Sequence, residues 1–110
     1  MDAANVASIV AKGPDEYAVI PDSTLEALRA WVENAHPLGH FCRAVVENDL
    51  REAVTRADNE NLRALSAIVR LMYNRAPAKS WGYRQATYEW PLLLKECKES
   101  GRVPRIDYAR

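Results

Sequence analysis

Apolar residues recur along most of this chain at helical spacing. Leu25, Leu28, Trp31 and Val32 fall three or four positions apart, so they share one helix face. Asp22 or Ser23 suits the start of that helix, and Glu26 has the capping-box spacing from Ser23. Pro37 and Gly39 end it near Asn34. A second helix begins near Gly39–His40 and turns Phe41, Ala44 and Val45 to the core, with Asn48 close to its end. Asp49 can then cap a shorter helical piece holding Leu50, Ala53 and Val54. Asn48-Asp49 is either a break or two polar residues inside one long helix. Both residue types are indifferent in helix interiors and good at ends, which favours a break or bend.

Asp58 caps a third helix over about Asn59–Arg75. Its core stripe reads as Leu62, Leu65, Val69 and Met72, flanked by Ile68 and Tyr73, while Ala64 and Ala67 leave room for close packing. Pro77 stops it, and Lys79-Ser80-Trp81-Gly82 forms a loop. A last helix runs from about Tyr83 to Ser100, with a kink or restart expected at Pro91, and Gly101 stops it. Val6, Ile9 and Val10 share one face of a short helix that Gly13-Pro14 would end. Tyr17-Ala18-Val19-Ile20, closed by Pro21, reads as an extended segment with Val103–Ile106 as a candidate strand partner. The expectation is a mainly α chain: a compact bundle of about four helices with at most one short extended pairing. Residues 1–110 form a single domain, in which 1–16 and 101–110 are peripheral.

Composition adds limits. A chain of 110 residues buries one modest core, so self-association into a homo-oligomer is expected. No apolar run is long enough to span a bilayer, and the first residues lack the layout of a signal peptide. Two cysteines, Cys42 and Cys97, do not make a disulfide framework, and a reduced cytoplasmic setting fits. Net charge is zero but unevenly spread. Residues 1–60 carry eleven acids and five bases, and residues 61–110 carry four acids and ten bases. Between Asn61 and Tyr88 lie five bases and no acid. The halves either neutralise each other, within or between subunits, or the basic stretch faces an anionic ligand. The neutral total argues against general nucleic-acid binding.

Four constellations carry candidate chemistry. Arg63, Ala67, Arg70 and Asn74 lie on one side of the third helix at 4-3-4 spacing, with Arg56 seven residues before Arg63. Guanidinium forks suit phosphate or carboxylate, though a solvated face is the plainer reading. Asn48, Asp49, Arg56, Asp58 and Asn61 fall close enough to form a buried polar network. The plainer reading makes Asp49 and Asp58 helix caps bridged by Arg56. Tyr73, Trp81, Tyr83, Tyr88 and Trp90 cluster around the basic stretch, where they either sandwich a planar ring or close the core. His36, His40 and Cys42 tempt a metal reading, but Pro37 and Gly39 prevent one helix from presenting both histidines and no fourth ligand is near, so no metal is expected. No phosphate-binding glycine loop, Gly-x-Ser-x-Gly elbow or Cys-x-x-Cys pair occurs, so catalytic residues and cofactors have no support.

The string Ala44-Val45-Val46-Glu47-Asn48-Asp49-Leu50, Ala53-Val54, Arg56-Ala57-Asp58, Asn61, Tyr73-Asn74, Ala76-Pro77 and Trp81-Gly82 is distinctive as a whole. In it the chain resembles a group of small, largely uncharacterised proteins encoded by bacteriophages and prophages. The likeness covers roughly residues 18–85. Lys79-Ser80 stands where the relatives have a Ser or Ala followed by Cys, so any thiol role there does not carry over. The resemblance implies a helical fold and a phage origin, hence the cytoplasm of a host cell. It brings no established activity.

Two functions follow as expectations. The first is a non-enzymatic phage accessory protein that binds a small anionic, nucleotide-type ligand such as a host immune signal. Arg63 and Arg70 would contact phosphate, with Arg56 and Asn74 beside them. Tyr73 or Trp81 would stack on the ring, and Asn48 or Asn61 would read its edge. The second is an inhibitor that binds a host defence protein, of the anti-CRISPR or another anti-defence type.

Overall fold

A computed structural model describes residues 15–107. Five α-helices follow in order: α1 Asp22–Asn34, α2 His40–Val46, α3 Leu50–Arg56, α4 Asn59–Arg75 and α5 Ala86–Glu99. Short 3-10 turns lie at Asp15–Tyr17 and Ala78–Ser80. The chain is therefore mainly helical, as the periodicity predicts. The expected short helix around Val6, Ile9 and Val10 lies outside the described residues.

Helix ends show how local chemistry sets the boundaries. Asp49 caps α3 by accepting from the Glu52 N–H at 3.2 Å, and Asp58 caps α4 by accepting from the Asn61 N–H at 2.8 Å. Asn48, between α2 and α3, sits at φ 58°, a left-handed conformation that asparagine tolerates better than most residues. It turns the chain there, which makes five helices of the expected four. At the far end Gly101 has φ 82°. Its N–H reaches Lys98 O at 3.0 Å while Arg102 N–H reaches Cys97 O at 2.9 Å, a Schellman close to α5.

Three expectations are corrected. No capping box starts α1: Pro21 is the N-cap residue, and its carbonyl already accepts from Leu25 N–H at 3.0 Å, so the first turn begins ahead of Ser23. α5 does not restart at Pro91: one helix runs through it from Ala86 to Glu99. Trp90 and Leu94, both buried on either side of the proline, outweigh the one lost backbone bond. No strand forms among the described residues. Tyr17-Ile20 closes as a tight turn, with Ile20 N–H on Tyr17 O at 3.1 Å. Ile106 instead enters the core as a single side chain, and Asp107 N–H holds the tail to Arg75 O at 2.9 Å.

One hydrophobic cluster joins all five helices. Leu25, Leu28, Trp31 and Val32 of α1 are buried as expected, and so are Phe41, Ala44 and Val45 of α2. α4 is rotated from its expected setting. Its core face is Ala64, Ala67, Ile68, Leu71 and Met72, whereas Leu62, Val69 and Tyr73 are exposed. The periodic pattern holds two stripes, and the one with two alanines lets neighbouring backbone come close. Tyr17, fully buried, packs near the end of α4, where the Arg75 guanidinium lies 5.9 Å from its ring centre.

Two tryptophans lock the middle of the fold. The Trp90 indole N–H donates to the carbonyls of Trp31 and Val32, at 3.3 and 3.2 Å, near the C-terminal end of α1. The Trp31 indole N–H donates to Ser80 O at 2.8 Å. Nearby, Glu47 ties α2 to α5 by accepting from the Thr87 hydroxyl at 2.6 Å and from Arg43 Nε at 3.0 Å. Burial alone would raise the Glu47 pKa. The two hydrogen bonds and the charges of Arg43 and Arg84 outweigh burial and hold it below the usual glutamate value.

Candidate functional site

The outward stripe of α4 forms one wall of a groove of about 470 Å³. Leu65, Val69 and Tyr73 supply that wall. The opposite wall comes from the end of α2 and the start of α3, through Val45, Asn48, Asp49, Leu50 and Ala53. Ala78, Trp81 and Gly82 close one end. The lining is mainly hydrocarbon and aromatic. Leu50 is 70% exposed and Tyr73 80%, so large apolar surface faces solvent here.

The loop that carries Trp81 is fixed at several points. Ser80 is fully buried, and its hydroxyl donates to Pro77 O at 2.7 Å while its carbonyl takes the Trp31 indole N–H. The Tyr83 hydroxyl donates to Lys79 O at 2.8 Å. Burial, with the charge of Glu89, raises the Tyr83 pKa, which keeps that donor protonated. Gly82 N–H meets Val46 O at 2.7 Å, with Gly82 at φ 87°. There is space for a side chain at Gly82, but not a backbone conformation that one would favour. Trp81 is thus held half-buried against the core, at one end of the groove.

The eight residues expected to form a site divide. Asn48, Tyr73 and Trp81 line the groove together. Arg63, Arg70 and Asn74 are exposed on α4 but lie roughly a third of a turn away, by the 3.6-residue helical repeat. Asn74 reaches the Tyr17 hydroxyl at 3.4 Å, and Asn61 accepts from the Thr24 hydroxyl at 2.5 Å, so both face the turn before α1 and the start of α1. Arg56 pairs with Glu52 at 3.1 Å, within its own helix. The polar network expected around Asn48, Asp49, Arg56, Asp58 and Asn61 therefore resolves into two caps and local pairs, and Arg56 does not bridge the two aspartates. Trp90 is buried, whereas Tyr88 is 75% exposed away from this groove. Cys42 is buried while His36 and His40 are exposed, and no group of three or more metal-ligating side chains gathers among the described residues.

Sequence reasoning missed Leu50, Leu65 and Val69 as site residues. The available signal was the second apolar stripe of α4: a helix with two stripes cannot bury both in a core of this size. The groove combines apolar walls with a few polar groups. Its lining has one carboxylate, one side-chain amide and two aromatic rings, and no histidine, cysteine, serine or base among the described residues. No family model, curated protein or solved structure matches the chain.

Proposed function

We propose that this chain is a non-enzymatic, phage-encoded anti-defence protein that acts by capture, holding a segment of a host protein in the groove between α2–α3 and α4. The carrying observation is the exposed apolar stripe of Val69 and Tyr73 facing Leu50 across that groove. Exposed apolar surface of this kind is costly in water and marks interaction sites. The phage origin rests on the resemblance, and Asn48, Asp49, Leu50, Tyr73, Trp81 and Gly82, which carry part of it, also line the groove. Copies of this chain would associate through the same face when no partner fills it.

Affinity capture from a bacterial host extract tests this reading. A host protein retained by the wild-type chain, lost with Val69→Glu and kept with Arg63→Ala is the expected result. Identical retention by the wild type and Val69→Glu overturns it.

A nucleotide-type ligand remains a second reading, favoured by one observation. Arg70 and the well-exposed Tyr73 lie three residues apart on α4, where a phosphate and a ring would each find a partner. Thermal shift with linear and cyclic nucleotides decides it. A true site at about 100-fold saturation adds about 2.7 kcal/mol, and Arg70→Ala should abolish that shift. No shift across the panel removes this reading.

A further inference from the structure

We infer that the groove receives an apolar peptide segment carrying an arginine or lysine, with the base seated against Asp49 on the α2–α3 wall. This inference rests on the groove being the binding site and adds the chemistry of its occupant. Among the described residues, Asp49 is the single charged side chain that lines the groove. One of its carboxylate oxygens caps α3 through the Glu52 N–H, and Asp49 as a whole is exposed, so its second oxygen is open to a donor. An occupant covering the apolar walls would strip water from that carboxylate, a cost that an arriving cation offsets. A carboxylate or phosphate in the same place would meet like charge, which costs more as water leaves.

Tyr73 and Trp81 reinforce the choice. Both rings line the same groove, and Tyr73 is largely free. Aromatic faces that share a groove with a carboxylate suit an apolar segment bearing a guanidinium, which can stack on a ring or hydrogen-bond at its edge. The exposed Asn48 amide offers a donor and an acceptor to the backbone of a bound segment. Arg63 and Arg70 stand off the groove on the outer side of α4. They would oppose a uniformly basic partner while leaving a single base on the Asp49 wall undisturbed.

The experiment selects a displayed library of random peptides on the wild-type chain and counter-selects it on Val69→Glu. Enriched peptides are expected to pair apolar residues with arginine or lysine. They should bind Asp49→Asn about tenfold more weakly at unchanged melting temperature, because asparagine keeps the cap and removes only the charge. Enriched peptides without a base, or equal binding to Asp49→Asn, overturn this inference and leave groove capture standing. Enrichment that is unaffected by Val69→Glu overturns both, as does the absence of any enrichment on a monomeric wild type. A wild-type dimer that Val69→Glu dissolves, with no peptide enriched, makes a second copy the occupant and overturns the inference.

Discussion

Asn48 shows how one residue sets the shape of the groove. Its φ of 58° ends α2 and lets Asp49 start α3 in a new direction. A β-carbon in that conformation costs about 1 kcal/mol, less for asparagine than for most residues. Asn48→Ala should therefore destabilise the fold, whereas Asn48→Gly should be neutral or slightly stabilising, as read from urea midpoints. Glu47, one residue earlier, gives a pH test. Its folded-state pKa is depressed, so its contribution is present above the ordinary glutamate range and is lost as pH falls through the folded value. Wild type should exceed Glu47→Gln by about 1–2 kcal/mol at pH 7. That gap should close in melts taken well below the ordinary glutamate pKa. The break at Asn48-Asp49 was legible in the sequence because both residues have strong end preferences. The interhelical role of Glu47 was not, because its partner Thr87 is forty residues away.

At the scale of elements, α4 is the instructive case. Its boundaries, Asn59–Arg75, were legible from Asp58 and Pro77, since capping and backbone blockage are local effects. Its rotation was not. Leu62, Leu65 and Val69 are larger than Ala64 and Ala67, and a stripe of large residues looks like the core. Which stripe turns inward depends on the shapes of α1 and α2 and of the Tyr17 turn, which periodicity does not encode. The two faces should respond differently to substitution. Ile68→Ala, on the core side, should cost about 2–4 kcal/mol through lost burial and a cavity. Val69→Ser, its neighbour on the groove side, should cost under about 1 kcal/mol. Denaturant melts of the pair measure the contrast, and equal costs would place Val69 in the core. The arginines follow from the same rotation, since their spacing was right and only their distance from the apolar wall had to be seen.

At the scale of the molecule, one cluster spans all five described helices, so unfolding should be a single cooperative event. Cys42 reports on it. Burial pushes its thiol pKa up to about 11, which leaves almost no thiolate at neutral pH. Cys97 is only partly covered. A thiol reagent should therefore label one cysteine quickly in the native protein. Labelling of Cys42 should wait for global opening and follow the same denaturant midpoint as the loss of helical signal. Fast labelling of both would mean that the core opens locally around α2.

The three tryptophans have a practical consequence. Two are deeply buried and hydrogen-bonded, so their emission should be blue-shifted and indifferent to anything at the surface. The third, Trp81, sits at the groove's end in a loop too well anchored to drift. The protein thus carries its own optical reporter: a steady background from two indoles and a single quenchable indole where an occupant would arrive. A spectral change on mixing would read occupancy directly, without a label.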